Sequence, residues 1–342
     1  METGEEKRYQ ESLKETRDNL TQWLGSSSEH QRQVTLGPAS QGDVHTHLSV
    51  LDTALANASL GSLGICTVCD DFVNSRLLEM DYTACVCLEH FSPEERRSLE
   101  IELELAQTVQ RSLLPYQVPD TQVLETAAFS RPAQIISGDY FDFFNFRDGT
   151  HGLAIGDVAG HGVSASLHMA SMQALLRTLI PSSLTPQEVV GHINHLLIHN
   201  LRFTTFMALF LASFDPSNRT LTYCNAGHNP PLLYQGNKRN AGIRLLRPTG
   251  AAIGLVEDVP FTAETVQLAP GDLLLMYTDG LTEAVNLAGE QFGLERLTRL
   301  VETSSSKSVR DLILEIRMAL QEFSEGCPLV DDITIVGCRV VG

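Results

Sequence analysis

The chain has 342 residues, 43% of them hydrophobic, which suits one or two globular domains and excludes a disordered or fibrous chain. Its 42 acidic and 24 basic residues give a net charge of −18, and no basic patch breaks it, so neither nucleic acid nor a membrane surface is expected as a partner. No apolar run reaches the roughly 18–20 residues of a bilayer span, and the first residues lack the apolar core of an export signal, so the cytoplasm is the expected location.

Residues 1–24 are charged and read as helical, Gly25-Ser-Ser-Ser28 reads as a break, and residues 29–46 carry little periodic signal. Leu48, Leu51, Leu55 and Ala58 fall on one face of a helix expected over 48–60. There follow Cys66-x2-Cys69 and, after 17 residues, Cys87-x2-His90. Two knuckles of two-residue spacing each let a tight turn aim a pair of side chains at one ion, and four soft ligands select structural zinc. Four small buried residues of a satellite core are the plainer alternative, and Cys85 is a spare thiol that competes for ligation. Leu63-Gly-Ile-Cys-Thr-Val-Cys-Asp70 with Tyr82-Thr-Ala-Cys-Val-Cys-Leu-Glu-His90 resembles the zinc-finger end of the DksA/TraR family. His90 stands where that family usually has Cys. The resemblance implies a zinc-finger module over about 48–91, and no match extends to the family's polymerase-binding coiled coil.

Ser92-Pro93-Glu94-Glu95 is a helix start, with the hydroxyl at the cap and proline at the first position. The helix is expected to reach Leu114 and stop at Pro115. Its stripe of Leu99, Leu103, Ala106, Val109 and Leu113 suits packing on a neighbouring domain or pairing with a second copy, a homodimer through 92–114. The expected division is an irregular or helical segment (1–47), the zinc finger (48–91), a linker helix (92–117) and a large domain (118–342).

In that last domain, strands are expected at 123–129, 140–146, 152–158, 205–214, 220–225, 231–234, 262–268, 272–277 and 333–341. Helices are expected at 163–180, 186–200, 294–302 and 309–323. Antiparallel strands joined by short turns, with helices inserted in pairs, make an α+β layered domain.

Asp139, Asp157, Asp279 and Asp331 (with Asp332 beside it) each stand at the end of a strongly apolar strand. One such aspartate is ordinarily a turn residue. Four at the ends of different strands repel one another, if they share an edge, unless cations lie between them. Oxygen-only ligands select Mg²⁺ or Mn²⁺, and a pair of such ions can activate water for in-line displacement at phosphorus.

Ser137-Gly-Asp-Tyr-Phe-Asp142, Gly156-Asp-Val-Ala-Gly-His-Gly-Val-Ser-Ala165, Asn225-Ala-Gly-His-Asn-Pro-Pro231, Tyr277-Thr-Asp-Gly-Leu-Thr-Glu283 and Asp331-Asp-Ile-Thr-Ile335 resemble, in order, the motifs of SpoIIE/RsbU-type PPM serine phosphatases. Leu105-Ala-x-x-Val-Gln-x-x-Leu-Leu-Pro115 is similar to the helix that enters that domain, so the resemblance covers about 100–342. It implies an antiparallel β-sandwich flanked by helix pairs and a two-ion Mn²⁺ or Mg²⁺ centre. Asp157 would bridge the ions, the Val158 carbonyl and Asp139 would face one side, and Asp279 and Asp331 the other, with Asp332 in support. The implied activity is hydrolysis of phosphoserine or phosphothreonine on a protein, with a STAS-type anti-sigma-factor antagonist as the partner and substrate.

Asp157 and His161 are the candidate catalytic residues; His161 fits a general acid for the seryl leaving group and equally a turn or second-layer residue. His228 reads as loop-shaping, and His192, His195 and His199 as surface or packing residues. A non-catalytic phosphopeptide- or polymerase-binding regulator is the alternative, which the intact ligand set disfavours; a metal-dependent nuclease conflicts with the acidic charge.

Overall fold

The computed structural model describes residues 13, 14, 17, 18, 21, 41–59, 64–66, 68, 69, 73, 86, 87, 90–115, 122–160, 162–183, 185–201, 206–236, 242–257 and 260–341. His161, Cys85 and most of 1–40 lie outside these residues. The chain divides into two compact units, one of residues 1–103 with 199–204, the other of 104–198 with 205–342.

In the first unit, helix α1 (Gln41–Ser59) begins seven residues before the expected start, within a stretch that carries little periodic signal. Its expected face is partly borne out, since Leu51, Ala54 and Ala58 bury together with Leu13. Helix α2 (Pro93–Leu113) starts at the proline after Ser92, as the cap signature predicts, and runs on into the second unit.

The second unit is a sandwich of two five-stranded antiparallel sheets. Its elements in order are β1 (Leu124–Arg131), β2 (Tyr140–Asn145), β3 (His151–Val158), α3 (Gly162–Leu179), α4 (Pro186–Leu201), β4 (Met207–Asp215), β5 (Thr220–Ala226), β6 (Leu232–Gln235), β7 (Gly242–Leu245), β8 (Glu264–Gln267), β9 (Leu273–Tyr277), α5 (Asp279–Glu283), α6 (Gly293–Thr303), α7 (Val309–Ser324) and β10 (Ile333–Val340). One sheet has the order β1-β10-β9-β6-β7 and the other β2-β3-β4-β5-β8.

Alternation along the strands builds the core between the sheets. Phe141, Leu153, Ile155, Phe210, Phe214 and Tyr223 of one sheet meet Leu233, Leu274, Met276, Val336 and Cys338 of the other, all buried. The outer face of the first sheet, Leu273, Leu275, Ile333 and Ile335, is covered by Leu297 and Val301 of α6 and by Leu312, Ile313 and Ile316 of α7. Ser308 caps α7, its Oγ accepting from Asp311 N–H at 3.1 Å. On the other sheet, α3 sets Met172 against Gly156, where an added Cβ would lie 2.8 Å from the methionine methyl.

Candidate metal centre

Antiparallel pairing fixes which strand ends coincide. Tyr140 pairs with Gly156, so Asp139 and Asp157 leave neighbouring strands at the same edge. In the other sheet Tyr277 pairs with Ile335, and Thr278 N–H donates to Thr334 O at 3.0 Å, which brings Asp279 level with Asp331 and Asp332. Hydrogen bonds then join the two edges. The Thr278 hydroxyl donates to Asp139 Oδ2 at 2.8 Å, and Gly138 N–H donates to Asp332 Oδ2 at 2.7 Å.

The carboxylates strain one another's charge. Burial pushes Asp157 up to about 8, with Asp279, Asp331 and Asp332 adding repulsion. Asp139, 2% exposed, is pushed well above the carboxylate range, first by burial and then by Asp157 and Asp332. Burial also raises Asp279, again with Asp332 nearby. Each shift marks a charged form that burial and neighbouring carboxylates disfavour. Oxygen donors gathered in that state fit hard divalent cations.

The turn after Asp157 takes its shape from Gly160 and Gly162, whose φ of 97° and 75° are open to few other residues. Val158 ends β3 fully buried. At Gly280 any side chain is excluded, because a Cβ there would lie 2.1 Å from the Asp332 carbonyl oxygen. That contact sets Asp279 against the 331–332 segment. Asp331 accepts from Asp332 N–H at 2.7 Å. Asp332 is held differently: Oδ1 accepts from Ala133 N–H and Oδ2 from Gly138 N–H, both at 2.7 Å.

Residues beyond the sequence expectations hold these carboxylates. Thr278, besides reaching Asp139, accepts from Thr334 N–H at 2.9 Å. Gln110 of α2 is buried and grips Ser137 by both amide ends, donating to its carbonyl at 2.5 Å and accepting from its N–H at 2.8 Å. The Ser137 hydroxyl in turn accepts from Asp139 N–H at 3.0 Å. Asp142, in the same motif as Asp139, accepts two hydrogen bonds from Arg177 of α3 and one from the Tyr140 hydroxyl, which ties α3 to β2. His228 is buried, with its N–H on Asn225 Oδ1 at 2.8 Å and Nδ1 2.9 Å from Asn229 O. Burial pushes its pKa down to about 4, and it shapes its loop as expected. His192 and His195 are exposed on α4.

In the first unit the ligand atoms of Cys66, Cys69, Cys87 and His90 all lie within 4.8 Å of one another. Cys69 Sγ stands 3.9 Å from Cys87 Sγ, and Val68 and Cys87 N–H each donate to Cys66 Sγ at 3.4 Å. Burial would raise Cys66, but the backbone N–H groups of Cys87, Val68 and Cys69 outweigh it and hold the thiol at about 6. Cys87 is pushed up to about 12 by burial and by its sulfur neighbours. Thiols packed this closely, one already favouring thiolate, are compatible with a zinc finger.

The family described as Stage II sporulation protein E (SpoIIE) matches residues 147–341, more than half of the chain. The chain belongs to the SpoIIE family of PPM phosphatases. Among relatives, the phosphoserine phosphatase RsbU of Bacillus subtilis (strain 168) is 28% identical over 249 residues, covering 71% of each chain. Protein IcfG of Synechocystis sp. is 29% identical over 264 residues, 69% of this chain, but the match spans only 41% of that protein. Among solved structures, the SiaA-PP2C domain of Pseudomonas aeruginosa superposes with a TM-score of 0.63 at 24% identity, covering 72% of this chain and 98% of that domain. The sandwich flanked by helices expected from sequence is thus the fold of this SpoIIE-type, metal-dependent phosphatase domain.

Proposed function

We propose that this SpoIIE-family domain removes phosphate from phosphoserine or phosphothreonine on a protein, and that Asp139, Asp157, Asp279 and Asp331 with the Val158 carbonyl hold two Mg²⁺ or Mn²⁺ ions. The observation that carries the reading is the set of carboxylates delivered to one edge by both sheets, raised toward protonation by burial and, beyond that, by one another's charge. Such ions, which are typical of PPM phosphatases, would supply an acidified water and neutralise charge developing on the phosphoryl group. Asp157 would serve both ions, and Thr278 and Ser137 orient Asp139. Asp332, with both oxygens on backbone N–H groups, is a support for the 133–138 loop. His161 next to Asp157 is the candidate general acid for the serine oxygen.

The motif resemblance points to a phosphorylated STAS-type anti-sigma-factor antagonist as the substrate, and to the cytoplasm as the place of action. Among the described residues no helix is long and apolar enough to cross a membrane. The four-ligand cluster of the first unit holds one structural zinc ion. Leu99, Leu105 and Val109 are exposed on α2, which supports pairing of that helix with a second copy.

Hydrolysis of p-nitrophenyl phosphate with Mn²⁺ tests the centre: Asp157→Asn drops the rate at least about a hundredfold, the scale of losing one preorganised charge-stabilising group. Equal rates would refute the mechanism. Purified chain carries one zinc per chain by mass spectrometry, and Cys66→Ser loses it.

A further inference from the structure

The turn that follows Asp157 is bonded to an apolar surface that the catalytic groups do not use. Ala159 N–H donates to the Phe206 carbonyl at 3.0 Å, and Phe206 is 41% exposed just before β4. Met207 and Ile253 then exchange backbone hydrogen bonds of 3.0 and 2.8 Å, which lays the 253–256 segment along the same edge. Leu255 and Val256 in that segment are 59% and 48% exposed. Beneath them the buried Asn194 of α4 accepts from Gly254 N–H at 2.9 Å and donates to Val256 O at 2.9 Å. Phe206, Leu255 and Val256 therefore stand on backbone that is already fixed.

We propose that Phe206, Leu255 and Val256 form the docking platform for a folded phosphoprotein, gripping the surface around its phosphoserine while the phosphoryl group reaches the carboxylate edge. The proposal rests on the phosphatase reading of that edge. Three features identify the occupant. The platform adjoins the Asp157 turn, one hydrogen bond away, so it borders the edge to which a protein would present its phosphoserine. The chain carries a net charge of −18, which weakens long-range attraction to a phosphorylated, acidic surface; apolar contact adds affinity without that repulsion. The bonded backbone is preorganised, so little ordering opposes docking.

The double variant Leu255→Ser/Val256→Ser, assayed with Mn²⁺ on p-nitrophenyl phosphate and on a serine-phosphorylated STAS-domain protein, separates the readings. The expected result is a KM for the phosphoprotein raised about tenfold or more, as when interface anchors are truncated, with kcat and the small-substrate rate retained. An unchanged KM beside an unchanged small-substrate rate overturns the platform and leaves the phosphatase reading standing. So does native chain that hydrolyses the small substrate but not the phosphoprotein. If the variant instead turns a dimer into a monomer in sedimentation at unchanged KM, the surface belongs to a second copy and the proposal fails. Native chain inert toward p-nitrophenyl phosphate sinks the phosphatase reading itself, and the platform with it.

Discussion

Asp157 has a usual carboxyl value of 3.8 and stands at about 8 in the folded, metal-free chain. Between those values the folded state holds a proton that the unfolded state has released, so this group lowers stability as pH rises across the window. Dialysed free of Mg²⁺ and Mn²⁺, the chain melts at a lower temperature at pH 8 than at pH 5, and Mn²⁺ restores more at the higher pH, where fewer protons compete. Asp157→Asn weakens the dependence, leaving the part due to Asp139 and Asp279: its metal-free melting temperature is higher than native at pH 8 by at least about 2 °C, read by differential scanning fluorimetry. Thr278 makes the opposite prediction. Its hydroxyl serves Asp139 and Thr334 N–H at once, so Thr278→Val strands two buried polar partners. A loss of about 1–3 kcal/mol follows in urea unfolding, with more Mn²⁺ needed for half-maximal rate. The aspartates were legible in the sequence because each interrupts an apolar run. Thr278 and Gln110 were not: a threonine within a strand end and a glutamine on a charged helix have the look of ordinary surface residues, and only the fold shows them buried.

At the scale of elements, long strands and paired helices followed from periodicity, and their ends moved by a few residues at most. Two short pieces escaped. Gly242-Ile-Arg-Leu245 offers too few apolar positions to declare β7, and Asp279–Glu283 has the composition of a turn although it coils into α5. The stripe on α2 reads as a packing face, yet Leu99 and Val109 are exposed and Gln110 is the buried residue, because the helix meets the loop before Asp139 through amide hydrogen bonds. The contact between α5 and the 331–332 segment has a direct consequence. Gly280→Ala must move backbone, since the nearest atom is the Asp332 carbonyl oxygen. Destabilisation of about 1–3 kcal/mol is expected from overpacking of this kind. Mn²⁺ titration of activity would rise in midpoint along with it; an unchanged midpoint would show that the spacing of Asp279 and Asp331 does not set affinity.

For the whole molecule, the fold class was legible from strand alternation, but which sheet each aspartate joins was not, since pairing partners are distant in sequence. The pairing turns out to divide the centre: Asp139 and Asp157 belong to one sheet, Asp279 and Asp331 to the other. On the proposed two-ion reading, the buried side chains between the sheets would help set the spacing of the two pairs of carboxylates. The Thr278–Asp139 and Gly138–Asp332 hydrogen bonds clamp the same gap at the edge. A substitution such as Leu274→Ala, in that buried layer, would thin it. On that reading, selectivity between the smaller Mg²⁺ and the larger Mn²⁺ would then respond to the hydrophobic core, and a preference unchanged in that variant would refute this.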